Sequence, residues 1–389
     1  MERRFGFISS DEHVVEHPGV WTQRLSKSWG ERIPHLVEQA DGSQRWLVDG
    51  RPVALDGVAA AGATLADRNQ LPQRWEDVSA LAHNPAERLK AMDADGVDAA
   101  VLYPSLAGLA GETFGRLTDP ALELACVQAY NDWLIDEWAA VSPRFIPQCL
   151  VPLSPVAATV AEIERSVAKG HRGVVYPAIP MHLRELPHIN EAEYDPVWAT
   201  CQELGVPICF HAGASPDIQF PPDPAFSPAL ADAFQALSRP FSSATVLGNL
   251  LVSRILSRFP RLRVVFAESA LGWGVFALEA ADYHFEQFRL DLQGYELTPT
   301  ELFKRQCYFT GWYDRQSLLH THRFLGAQNI LWTTNFPLAT STWPNSREFM
   351  ARTFDPIPSH DRERMVWHNA AELYGVSGST GEPGREGHG

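Results

Sequence analysis

Short apolar runs alternate with amphipathic stretches along most of the chain, the pattern of a parallel sheet assembled from strand–helix units. Eight runs read as strands: Phe7–Ser10, Ala99–Tyr103, Phe145–Val151, Gly173–Tyr176, Pro207–His211, Arg263–Glu268, Cys307–Gly311 and Ile330–Thr334. Helical periodicity lies between them, in Leu122–Ala140, Ala157–Ala168, Pro196–Leu204, Thr245–Arg258, Leu271–Phe288 and Gln316–Leu325. Eight strands with intervening helices predict a closed (β/α)8 barrel of the TIM type over an open doubly wound sheet. No glycine-rich phosphate turn follows the first strand, which further disfavours a dinucleotide fold. The 389 residues exceed a typical domain, but barrels commonly need this length in one unit, here residues 1–376.

Residues Gly19 to Pro85 fall outside the repeat. Within them, Gln44–Leu55 reads as a hairpin about an Asp49-Gly50 turn. Because this insertion follows the first strand, it is expected to cap the C-terminal face of the barrel and roof the active site. A Pro-rich segment, Ala214–Arg239, follows the fifth strand onto the same face. The Gly/Ser-rich tail, residues 377–389, is expected to be disordered.

Composition narrows the function classes. A formal charge of −15 argues against a nucleic-acid or anionic-membrane surface, since either needs clustered Lys and Arg. Five cysteines without CxxC spacing read as buried thiols in a reducing compartment. The first ten residues contain no apolar core of a signal peptide, and no apolar run reaches membrane-spanning length. The expectation is a cytoplasmic enzyme, homo-oligomeric, acting on a small molecule.

In such barrels chemistry sits where strands end. The first strand ends in Asp11-Glu12-His13, the fifth in His211, the sixth in Glu268 and the eighth in Asn335. Asp11 and His13, two apart, leave a strand on the same side and can grip one ion. A lone histidine is ordinarily a hydrogen-bonded core residue. Converging His, Asp and Glu from three strand ends point instead to a metal.

The chain resembles the amidohydrolase-2, decarboxylase-type branch of the amidohydrolase superfamily. The resemblance rests on Asp11-x-His13-x-x-Glu16-x-Pro18, Arg88-Leu-Lys-Ala-Met-Asp93, Tyr130-Asn131-Asp132-Trp133, Phe210-His211-Ala-Gly213, Phe259 through Ser269, Gly272-Trp273 and Ser341-Thr-Trp-Pro-Asn-Ser346. It implies a distorted (β/α)8 barrel with a divalent metal on Asp11, His13 and His211, and Glu268 beside it. The eighth-strand element departs from the family's Asp-x-Pro-His, reading Asn335-Phe-Pro337-Leu338. An amide cannot take a proton from metal-bound water near neutral pH.

Three readings follow: a degraded relative that only binds small molecules, a zinc or manganese decarboxylase or hydrolase that tolerates Asn335, or a changed reaction. Two histidines and a carboxylate suit Fe(II) with open positions for O2. The chain also resembles a nonheme diiron monooxygenase type from platensimycin-type diterpenoid biosynthesis, built on the same barrel. This last reading is the expected function, with the zinc or manganese enzyme as its alternative: Fe(II), one ion or two, hydroxylates a bulky hydrophobic, diterpenoid-like substrate with O2. Glu16 and His284 are then the residues available to a second iron. Trp21, Trp46, Phe220, Phe226, Trp273, Trp312, Tyr313 and Phe336 are expected to line an apolar pocket, with Arg184 or Arg239 meeting a substrate carboxylate. His320 and His322, two apart on a helix, point in different directions and read as surface.

Overall fold

A computed structural model describes residues 6–53, 72–212, 223 and 225–376. Its strands are β1 (Phe7–His13), β2 (His35–Glu38), β3 (Gln44–Val48), β4 (Arg51–Val53), β5 (Val97–Tyr103), β6 (Phe145–Cys149), β7 (Gly173–Tyr176), β8 (Ile208–His211), β9 (Val264–Ala267), β10 (Cys307–Gly311) and β11 (Ile330–Trp332). Eight of them form one parallel sheet in the order β1-β5-β6-β7-β8-β9-β10-β11, each at a position that the apolar runs predict. The fold is a (β/α)8 barrel. Its strands are buried on both faces, β6 through β9 at every residue. That is why they read as unbroken apolar runs and not as alternating ones.

The outer helices begin and end where local chemistry dictates. Asn84 accepts the Ala86 and Glu87 N–H groups ahead of helix Pro85–Asp95, and Asp119 does the same ahead of Pro120–Trp133. Thr298 and Glu301 form a reciprocal capping box for Pro299–Gln306. Gly96, Gly170 and Gly205 stop three helices in the left-handed conformation that side chains resist.

The two ends of the sheet, β1 and β11, meet through hydroxyls. Ser9 Oγ lies 3.1 Å from both the Thr333 and Thr334 hydroxyls and accepts the Thr334 N–H at 3.0 Å. Ser10 Oγ donates to the Trp332 carbonyl at 2.7 Å. Beyond these, the His13 N–H donates to the Phe336 carbonyl at 2.8 Å.

In the insertion, Asp49 and Gly50 both take positive φ, 47° and 73°, as a two-residue hairpin turn requires. β3 and β4 pair antiparallel about it. β2, which the apolar pattern did not reveal, pairs with β3 on the other side. Its four residues are at most half-buried, so neighbours rather than sequence define it. Trp21 is fully buried between the rings of Trp46 and Phe114, and its Nε1 donates to the Cys126 carbonyl at 3.0 Å. The expected tail at 377–389, Phe220 and most of the Pro-rich stretch before residue 225 lie outside the described residues. All five cysteines are buried and free. Among the described residues no helix is long and apolar enough to cross a membrane.

Candidate metal centre

β1 runs three residues further than its apolar run, through Asp11, Glu12 and His13, after a register irregularity between Ser9 and Glu12. Alternation sends Asp11 and His13 toward His211 at the end of β8, and Glu12 the other way. Ligand atoms of Asp11, His13 and His211 all lie within 4.8 Å of one another, and all three residues are buried. Asp11 Oδ1 is 3.7 Å from His13 Nε2 and 3.5 Å from His211 Nε2, and the two Nε2 atoms are 3.2 Å apart.

The hydrogen bonds behind the rings fix which nitrogens are free. His13 Nδ1 meets the Pro104 carbonyl and His211 Nδ1 the Ala212 carbonyl, each at 2.8 Å. A carbonyl oxygen only accepts, so both Nδ1 atoms carry protons and both Nε2 lone pairs face Asp11. Backbone carbonyls orient metal-binding histidines in this way. Asp11 Oδ1 and Oδ2, Glu268 Oε2 and Asn335 Oδ1 are buried without hydrogen-bond partners. Orphaned acceptors and inward lone pairs fit a divalent cation.

Without a metal, one proton takes its place. Burial acts against a charged His211, but the Asp11 and Glu268 carboxylates outweigh it and raise its pKa to about 9. Burial dominates at His13 and lowers it to about 4, against the pull of Asp11. The linkage then has a definite sign. His211 stabilises chelator-treated protein fully below the ordinary imidazole value of 6.5, and loses that contribution as pH rises through about 9. His13, neutral in the folded chain, loses its contribution as pH falls from 6.5 through about 4. Melting temperatures of chelated protein should therefore fall on both sides of that middle range. The gain on adding manganese should grow toward pH 9, because the ion displaces the His211 proton. A manganese-induced shift independent of pH would refute this assignment of the proton.

Glu268, just past β9, and Asn335, past β11, both adopt left-handed backbone, φ 49° and 59°. Asn335 Nδ2 donates to Glu268 Oε1 at 3.3 Å. Glu268 Oε2 faces His211 Nδ1 at 3.8 Å, behind the ring, so Glu268 stands beside the three-ligand cluster and not within it. Arg239 Nη1 is 3.8 Å from Glu268 Oε1.

Other expected site residues are placed differently. Glu16 accepts the Ser105 and Leu106 N–H groups at 3.1 and 2.8 Å. It fastens the loop after β5 whose Pro104 carbonyl orients His13, and burial raises it to about 7. His284 is exposed, its Nδ1 on the Ala280 carbonyl of its own helix. Neither joins the cluster. Trp21 is core, as described above. Trp273 donates to the Ser269 carbonyl at 2.6 Å, in the loop that carries Glu268. Trp312 is buried edge-on against Tyr313, which is half exposed. Phe336 lies over the Arg88 guanidinium, 4.3 Å away. His320 is exposed, but His322 is buried with Nδ1 on the Leu318 carbonyl, which corrects the surface reading. Arg184 is taken up by Glu123 at 2.7 Å and by the Leu117 carbonyl.

The amidohydrolase family profile matches residues 44–376. The chain belongs to this family. It is 24% identical over 349 residues to the gamma-resorcylate decarboxylase of Polaromonas sp. (strain JS666 / ATCC BAA-500), covering 83% of this chain and 98% of that one. An amidohydrolase of Mycobacterium avium subsp. paratuberculosis K-10 superposes with a TM-score of 0.78 at 20% identity, covering 95% and 99% of the two chains. A dihydroxybenzoic acid decarboxylase from Polaromonas sp. JS666, solved with manganese and 2-nitroresorcinol, gives 0.63 at 18% identity, covering 95% and 97%.

These relatives overturn the expectation of an iron monooxygenase. Both Polaromonas relatives are decarboxylases, and the solved one holds manganese. The diiron reading also loses its extra ligands, since Glu16 is spent on backbone amides and His284 faces solvent.

Proposed function

We propose that this chain is a manganese-dependent decarboxylase of a hydroxylated aromatic carboxylate. Asp11, His13 and His211 would hold the ion. A bound divalent ion supplies a Lewis acid that draws negative charge off the substrate oxygens. The observation that carries the reading is the pairing of Asn335 with Glu268. An amide at the end of β11 leaves no base there to deprotonate water, which weighs against hydrolysis. Decarboxylation attacks nothing with water; it needs a proton delivered to carbon. Glu268, beside the cluster, would make that delivery. Asn335 Nδ2 engages Oε1, which leaves Oε2 to carry the proton. The proton passes to the ring carbon that bears the carboxylate, the bond to the carboxylate breaks, carbon dioxide leaves, and solvent reprotonates Glu268.

Manganese-loaded protein incubated with gamma-resorcylate, without oxygen, should release carbon dioxide and form resorcinol. In deuterated water the new C–H bond should carry deuterium. No turnover of any hydroxybenzoate, or turnover only with oxygen, would sink the proposal. Glu268→Gln keeps the shape but cannot give up a proton. It should lose about 10²–10⁴-fold in kcat while binding manganese normally, as read by elemental analysis.

A further inference from the structure

We infer that Arg239 is the anchor for the substrate's carboxylate, an assignment that rests on the decarboxylase reading and names what its site recognises. The argument begins with charge. Two carboxyl groups, Asp11 and Glu268, already stand at the site, so a substrate carboxylate arriving there gains from a cation beside them. Glu268 is only 5% exposed, and solvent screens little at that depth. A cation at the rim would draw such a substrate in, in a chain whose net charge is −15.

The neighbouring arginines are committed elsewhere. Arg88 serves Glu12 at 3.0 Å and the His13 carbonyl at 2.8 Å. Arg184 serves Glu123. Arg239 differs. It sits at the joint between helices Pro228–Ser238 and Pro240–Val252, in the connection from β8 to β9, the strands whose ends carry His211 and Glu268. Its side chain is 29% exposed, and its Nη1 to Glu268 Oε1 distance of 3.8 Å is too long for a hydrogen bond. Among the described residues its guanidinium makes no shorter polar contact. The planar fork therefore keeps donors for a bidentate carboxylate, beside the group that is to protonate the ring. One anchor then explains both recognition and aim: it places the scissile bond next to Glu268.

Calorimetric titration of manganese-loaded protein with gamma-resorcylate and, separately, with resorcinol isolates the carboxylate. Arg239→Met should weaken gamma-resorcylate binding about 10–100-fold, the worth of a charged hydrogen-bonded pair. Resorcinol binding should be unchanged, and Arg239→Lys should recover part of the loss. Manganese content should match the parent protein. Equal weakening of both ligands, unchanged binding of both, or loss of manganese would each overturn the assignment while leaving the decarboxylase reading in place. A parent protein that binds gamma-resorcylate no better than resorcinol would remove that reading, and the anchor with it.

Discussion

His211→Ala protein is expected to lose manganese and to decarboxylate more than about 10³-fold more slowly, since Lewis-acid stabilisation is worth several kcal/mol. The substitution removes one of the three proposed ligands and leaves Asp11 facing a single imidazole. Elemental analysis and carbon dioxide release read the two effects together. His171→Ala is the control. That ring is equally buried, but its Nε2 meets the Asn131 carbonyl at 3.0 Å, so its loss should leave the metal in place. If His211→Ala keeps stoichiometric manganese and its turnover, the cluster is not the metal site.

Arg88→Met is expected to cost about 3–5 kcal/mol of stability, because it strands a buried carboxylate. Arg88 and Glu12 are each 1% exposed and 3.0 Å apart. Burial pushes the Glu12 pKa up and Arg88 opposes it; burial likewise lowers Arg88, to about 10. The guanidinium also donates to the Leu81 and His13 carbonyls and lies beneath Phe336. Denaturant unfolding measures the loss. Adding Glu12→Gln to Arg88→Met should restore part of it, since the stranded charge is then gone. A cost below about 1 kcal/mol for Arg88→Met, the range of a surface pair, would show that the pair does not secure β1.

The barrel was legible because buried parallel strands have no polar face to disguise them, and each βα unit repeats that signature. Asp11 and His13 were legible as a pair because strand geometry alone puts residues two apart on one side. What the sequence hides is partnership at a distance. Glu12 and Arg88 are 76 residues apart, and Glu16 finds its amides 89 and 90 residues away, so neither partnership shows in the sequence. Glu16 therefore passed for an iron ligand. His322 was misjudged because spacing from His320 shows only that the two diverge. The buried stripe of Leu318, His322 and Leu325 decides which one turns inward. Asn335 stands past the end of β11, but a single amide does not carry a change from acid–base to redox chemistry. On the decarboxylase reading its contact with Glu268 offers a simpler consequence: the neighbouring acid would carry the proton.

The hydroxyl contacts between β1 and β11 make that joint adjustable. Backbone ladders are indifferent to side-chain identity, whereas Ser9, Ser10, Thr333 and Thr334 can be exchanged one at a time. Asp11 and His13 stand on one lip of this joint and Asn335 on the other. Trimming the Ser10 hydroxyl, which bonds only the Trp332 carbonyl, would retune the spacing across the mouth without removing a bond to Asp11, His13 or Asn335, a dial for engineers seeking a roomier or tighter cleft.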